Sequence, residues 1–146
     1  MDLASVSYKR YSSAIGRAVV HLCFVPKYRH PVFAHGVVQR RCAELFREIA
    51  ARYGMQIHEL GFDIDHVHVL VDIGPGLSVA AAARLFKGIS SRCLLRDLPW
   101  LRRWYFWGGH FWSPAYFFAS VGPATYETVV RYVREQGQRG AALQVH

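Results

Sequence analysis

The spacing of apolar and polar positions along the chain separates strands from helices before any chemistry is considered. Residues 18–25 read Ala-Val-Val-His-Leu-Cys-Phe-Val and are closed by Pro26, a β-branched and aromatic run that predicts a buried strand. From Val37 to Tyr53, apolar groups recur at Val38, Cys42, Leu45, Phe46 and Ile49 with helical spacing, and Gly54 follows as a C-terminal cap. Two short strand patterns, Gln56 to Phe62 and His66 to Ile73, flank Asp63-Ile64-Asp65. That connection is too short for a crossover helix, so the two are expected as an antiparallel pair.

Ser78 is placed to cap a second helix running to about Arg96, with Val79, Ala82, Leu85, Phe86, Ile89, Cys93 and Leu94 available for its buried side. Leu98-Pro99 stops it, and the aromatic stretch from Trp100 to Trp112, interrupted by Arg102, Arg103, Gly108, Gly109 and His110, reads as a loop or binding surface. Ala115 to Val121 supplies a last strand, Gly122-Pro123 breaks it, and Thr125 is expected to cap a final helix carrying Tyr132 to about Gln136. The order of elements predicts an α+β fold, an antiparallel sheet sandwiched by helices. A single domain over 1–146 is expected, with an N-terminal arm at 1–15 and a polar, frayed tail at 137–146.

Charge adds a partner class. Eighteen Lys and Arg against ten Asp and Glu leave a formal charge of +8, which favours contact with polyanions and makes nucleic acid the leading candidate. Cys23, Cys42 and Cys93 are odd in number and widely spaced, so neither a disulfide framework nor a thiolate zinc knuckle is indicated, and a reducing cytoplasm fits. No apolar run reaches the roughly 18 to 20 residues that span a bilayer, so membrane insertion and export are not expected.

Two groups of residues carry candidate chemistry. In Asp65-His66-Val67-His68-Val69-Leu70-Val71, strand alternation sends Val67, Val69 and Val71 to one face and His66 and His68 together to the other. Two imidazoles so placed can grip one divalent ion, although the pair is equally readable as two half-exposed polar side chains. A binuclear hydrolase site would need a further Asp-His after the pair, where Leu70-Val71 stands. On the last helix, Tyr132 and Gln136 are one turn apart and share a face, a potential nucleophile beside a neutral oxygen ligand. Taken alone, Tyr132 is ordinarily a core residue with its hydroxyl at the surface. Together the two groups make sense, because a phenol of pKa near 10 is only about a thousandth ionised at neutral pH and needs help to attack phosphorus. An ion on neutral ligands keeps its charge for a phosphate oxygen, and the imidazoles admit Mn²⁺ at least as readily as Mg²⁺.

Several segments in order resemble one family over nearly the whole chain. They are Val25-Pro26-Lys27-Tyr28-Arg29-His30, Asp65 through Leu70, Phe86-Lys87-Gly88-Ile89-Ser90-Ser91-Arg92, Phe111-Trp112-Ser113-Pro114-Ala115-Tyr116, and Thr125 through Gln136. The chain is similar to the single-tyrosine HUH transposases of bacterial insertion sequences, the 200/605 group, departing at Ala115, where that family commonly has glycine. The resemblance implies a ferredoxin-like, RRM-like nuclease fold with a tyrosine-bearing C-terminal helix. It implies His66, His68 and Gln136 as ligands of Mg²⁺ or Mn²⁺, and Tyr132 as the nucleophile of a 5′-phosphotyrosine intermediate. It further implies single-stranded, hairpin-marked DNA as partner and a homodimer. In such a dimer the tyrosine helix of one subunit can complete the site of the other, with residues 121–124 as the connection.

Lys27, Tyr28, Arg29, Lys87, Ser91 and Arg92 are candidates for phosphate and base contacts. Trp104, Trp107 and Trp112 are expected chiefly to anchor the aromatic segment against the sheet. A domesticated or replication-type nickase with the same chemistry, and a non-catalytic nucleic-acid-binding domain, are the alternatives to a transposase. The second has no use for Tyr132 and Gln136 facing the histidines.

Overall fold

The computed structural model describes residues 8–10 and 15–142. A small hairpin pairs β1 (Lys9–Arg10) with β2 (Ile15–Gly16); the rest of the expected N-terminal arm, and residues 143–146 of the expected tail, lie outside the described residues. The main sheet comprises β3 (Val19–Pro26), β4 (Gln56–Asp63), β5 (His66–Asp72) and β6 (Trp112–Ser120), in the antiparallel order β4-β5-β3-β6. One face carries α1 (Gly36–Arg52) and α2 (Val79–Asp97), and the other carries α4 (Pro123–Ala142).

Strand alternation explains the two layers. Val20, Leu22 and Phe24 of β3 and Val67, Val69 and Val71 of β5 point into one large core with Cys42, Phe46 and Ile49 of α1 and Ala82, Phe86 and Leu94 of α2. The rings of Phe24, Phe46, Phe86 and Trp112 interlock at centroid distances of 4.8–6.2 Å. Burying one such side chain is worth about 1.5–3 kcal/mol, so this layer dominates the stability of the sheet. On the opposite face, Val19, Leu70 and Val121 form a much smaller cluster beneath Tyr126, Val129 and Val130 of α4.

The helix ends follow local chemistry. Ser78 Oγ accepts the Ala81 amide at 3.0 Å and caps α2. After α1, Gly54 adopts φ +71°, and the Met55 amide returns to the Ala50 carbonyl at 2.8 Å, the wrapped ending that glycine permits.

Several expectations need correction. The aromatic stretch from Trp100 is not simply a loop: it opens with α3 (Trp100–Trp104), whose Leu101 is buried in the main core together with Phe106 and Phe111. The last helix begins at Pro123, two residues before Thr125, because proline's fixed φ and missing amide suit the first helical position. It also continues past Gly137 to Ala142, so the expected frayed tail is helical over residues 137–142. The last strand begins at Trp112 and takes Ala115 in extended backbone, where no glycine is needed. Trp112 is buried and donates its Nε1–H to Ser90 Oγ at 2.8 Å, as an anchor should, but Trp104 and Trp107 are 68% and 79% exposed, and Trp107 donates to the Arg103 carbonyl of its own segment at 2.7 Å.

Candidate active site and nucleic-acid interface

The site is built where α4 crosses β4 and β5. On that face β5 presents His66, His68 and Leu70, while β4 presents Glu59, Gly61 and Asp63 directly opposite Leu70, His68 and His66. Each of the three β4 positions contacts the helix differently. Glu59 accepts from Arg134 Nε at 2.9 Å, and Asp63 Oδ2 accepts from Gln136 Nε2. Gly61 has no side chain, and a Cβ there would overlap the Val133 carbonyl oxygen. A bulge between Ile57 and Glu59 also turns His58 to this side, where its Nδ1 lies 2.9 Å from the Tyr126 hydroxyl. Burial is the main cause that lowers the His58 pKa and raises that of Tyr126, so the pair is a neutral phenol hydrogen-bonded to a neutral imidazole.

This docking brings the expected residues together within one chain. The Tyr132 ring meets His68 edge-on at 5.1 Å and remains 45% exposed, so its hydroxyl is not sealed in the interior. His66 and His68 lie 4.9 Å apart between ring centroids. Gln136, one turn beyond Tyr132, is 1% exposed, and its amide nitrogen is engaged by Asp63. Oε1 is therefore the atom of Gln136 that can serve as a ligand.

Three residues that sequence reasoning overlooked support the histidines. Asp65 Oδ1 accepts from His66 Nδ1 at 2.7 Å, which puts the proton on Nδ1 and makes Nε2 the nitrogen His66 can offer to a cation. His21 of β3 brings its Nε2 to 2.8 Å from His68 Nδ1. Asp63 bridges the β4–β5 turn and α4, accepting the Ile64 amide at 2.7 Å through Oδ1 while its other oxygen holds Gln136. Two carboxylates just ahead of the His-x-His segment, Asp63 and Asp65, were a readable signal; the role of His21 depends on strand register and had none.

The donor set fits a divalent ion in kind. No three His, Cys, Asp or Glu side chains converge as ligands among the described residues; the side chains that could hold an ion here are two imidazoles and the amide of Gln136, and a six-coordinate ion would take its other ligands from phosphate and water oxygens. Cys23 is on the same face opposite His68, but burial first and the Asp65 charge second push its thiol up to about 11. It is therefore a protonated thiol at neutral pH, not a nucleophile.

The expected DNA contacts fall into two groups. Lys27, Tyr28 and Arg29 form a turn after β3 in which Tyr28 and Arg29 both adopt left-handed backbone, φ 61° and 52°. Such a conformation costs about 1–3 kcal/mol per non-glycine residue and is held only where surrounding contacts impose it. Here it sets Arg29 3.2 Å from Asp65 Oδ2 and leaves Tyr28 outermost, with Lys27 Nζ 5.5 Å from its ring. Lys87, Ser91 and Arg92 are on α2, across the sheet from α4. They line a cleft of about 760 Å³ with Arg96, Arg102 and His110. Ser91 Oγ already accepts the Phe111 amide at 3.1 Å, and Lys87 donates to the Pro114 carbonyl at 2.9 Å. Arg96 is paired with the Asp97 carboxylate at 2.8 Å, so Arg92 and Arg102 are the arginines left to face an anion in the cleft.

Known proteins resemble this chain over most of its length. A family profile described as "Transposase IS200 like" matches residues 14–136. The chain is 31% identical to the ISDra2 transposase TnpA of Deinococcus radiodurans over 116 residues, 80% of this chain and 81% of that protein. It is 28% identical to the transposase for insertion sequence element IS200 of Salmonella typhimurium over 127 residues, 86% of this chain and 82% of that one. Among solved structures, a Deinococcus radiodurans protein assigned as a transposase superposes with a TM-score of 0.69 at 27% identity, over 88% of this chain and 97% of its own. A REP-associated tyrosine transposase bound to a REP hairpin shares the fold, with a TM-score of 0.60 at 11% identity over 86% of this chain and 70% of its own. Among the described residues no helix is long and apolar enough to cross a membrane.

Proposed function

The chain belongs to the IS200-like transposase family, and from that premise we propose that it cuts and rejoins single-stranded DNA through Tyr132, assisted by a divalent ion on His66, His68 and Gln136. The observation that carries this reading is the half-exposed Tyr132 ring lying against His68 on a helix whose docking also seats Gln136 beside the His-x-His strand. Tyr132 Oη attacks phosphorus and loses its proton. The bond from phosphorus to the 3′ oxygen breaks, and the product is a 5′-phosphotyrosine with a free 3′-hydroxyl. Because the ester is retained on the enzyme, a second 3′-hydroxyl can attack the same phosphorus, restore a phosphodiester and release Tyr132 without ATP. A bound Mg²⁺ or Mn²⁺ would polarise the scissile phosphate and stabilise its added negative charge.

Hairpin DNA is the proposed substrate, with its phosphates on the basic cleft of α2. Replacing Arg92 and Arg102 together by alanine is expected to weaken binding of hairpin DNA at low salt. The slope of log K against log[salt] should fall by about 0.7–0.9 for each phosphate that the protein no longer neutralises. An unchanged slope would remove the cleft from the interface. The proposed assembly is a homodimer. Strand β6 is an open sheet edge with Phe117 and Phe118 exposed, a surface on which a second copy can pair.

The direct test incubates the chain with labelled single-stranded DNA from the flanks of its own gene and Mn²⁺ or Mg²⁺, then separates products under denaturing conditions. A protein–DNA adduct that survives denaturant is the expected result. Cleavage without any adduct would replace strand transfer by hydrolysis, and binding without cleavage would leave a nucleic-acid-binding domain.

A further inference from the structure

We propose that His21 is a positioning residue for His68: its Nε2 accepts the His68 Nδ1–H and thereby commits His68 Nε2 to a divalent cation. The inference rests on the reading of His66 and His68 as cation ligands and extends it to the tautomer that such a role requires.

The register of the sheet makes the contact. In the antiparallel pairing of β3 and β5, Cys23 lies opposite His68 and His21 opposite Leu70. His21 and His68 are therefore diagonal neighbours on one face, within reach for long side chains. The ring planes are 26° apart with centroids separated by 5.0 Å, and the nitrogens are 2.8 Å apart, an edge-to-edge contact. Phe117 and Tyr132 meet the His21 ring edge-on at 6.1 and 6.4 Å, which restrains it.

Between two neutral imidazoles the shared proton has two placements. With the proton on His68 Nδ1, Nε2 carries the lone pair a cation needs. With the proton on His21 Nε2, the His68 proton moves to its own Nε2, and ligation is blocked. For His66 a carboxylate makes this choice, because Asp65 can only accept. His21 is the group in contact with Nδ1 of His68 that can do the same, and its own Nδ1 then bears the proton.

The test compares the full chain with His21→Leu, which cannot accept, and His21→Gln, whose terminal oxygen reaches about where Nε2 stands. Long-range ¹H–¹⁵N spectra of the metal-free protein at pH 8 report the His68 tautomer. Mn²⁺ binding is followed by the electron paramagnetic resonance of the free ion, with His66→Ala as the control that should abolish it. The Nδ1–H tautomer is expected in the parent and in His21→Gln and should be lost in His21→Leu. Mn²⁺ affinity should weaken roughly 10- to 100-fold in His21→Leu and recover in His21→Gln. Unchanged tautomer and affinity in His21→Leu would overturn the inference, as would equal weakening in both variants at the parent's melting temperature. If His66→Ala binds Mn²⁺ like the parent, the ligand reading itself fails, while the tautomer spectra still decide whether His21 orients His68.

Discussion

Replacing Tyr132 by phenylalanine is expected to abolish the covalent protein–DNA adduct while leaving hairpin binding nearly intact. The substitution removes Oη and nothing else: the ring that meets His68 at 5.1 Å and His21 at 6.4 Å keeps its place, and the helix keeps its contacts through Tyr126, Val133, Arg134 and Gln136. Loss of a covalent nucleophile removes about 10⁴-fold or more of rate, since neighbouring groups cannot substitute for the missing bond. The proposed phosphate contacts are on the cleft of α2, across the sheet, so affinity should change little. A gel of the denatured mixture reads adduct formation and a filter-binding titration reads affinity. Undiminished adduct would reject the assignment of the nucleophile.

Gly61→Ala is expected to have the next largest effect, although residue 61 touches no DNA and holds no ion in this reading. Its Cβ would overlap the Val133 carbonyl oxygen and stand 2.9 Å from Val133 Cγ1. A side-chain tip can rotate away, but a helix carbonyl cannot, so α4 must lift from β4. Lifting separates Tyr126 from His58, Arg134 from Glu59 and Gln136 from Asp63, and it moves Tyr132 from His68. Overpacking of this kind costs about 1–3 kcal/mol, and a displacement of about 1 Å at a reacting group costs about 10²-fold in rate. The adduct rate should fall by that order, and the core of α1, α2 and the sheet should stay folded. Wild-type rates with α4 still docked would show that the close approach at Gly61 is not needed.

What was legible in the sequence divides along local and long-range lines. Ser78 and Gly54 act on neighbours within a few residues, so the limits of α2 and α1 could be read directly. Alternation in β5 placed His66 and His68 on one face because a strand's period needs no tertiary information. His21 was unreadable for the opposite reason: inside an apolar strand it is one histidine, and only the pairing of β3 with β5 sets it beside a residue 47 positions away. The start of α4 was misjudged because Thr125 is a good cap, while Pro123 makes an even better first helical residue. In the aromatic segment, charged and aromatic residues with paired glycines concealed the single turn of α3, which is held by Leu101 in the core and not by helical propensity.

The unequal thickness of the two apolar layers has a dynamic consequence. The side under α1 and α2 buries the large core, whereas the side under α4 is sealed by Val19, Leu70 and Val121, by Val133 of the helix and by a row of polar contacts. Amide protons of the last helix should therefore exchange with solvent through a partial opening that costs far less than complete unfolding. The residue proposed to break and make strands rides on the more thinly sealed of the two layers.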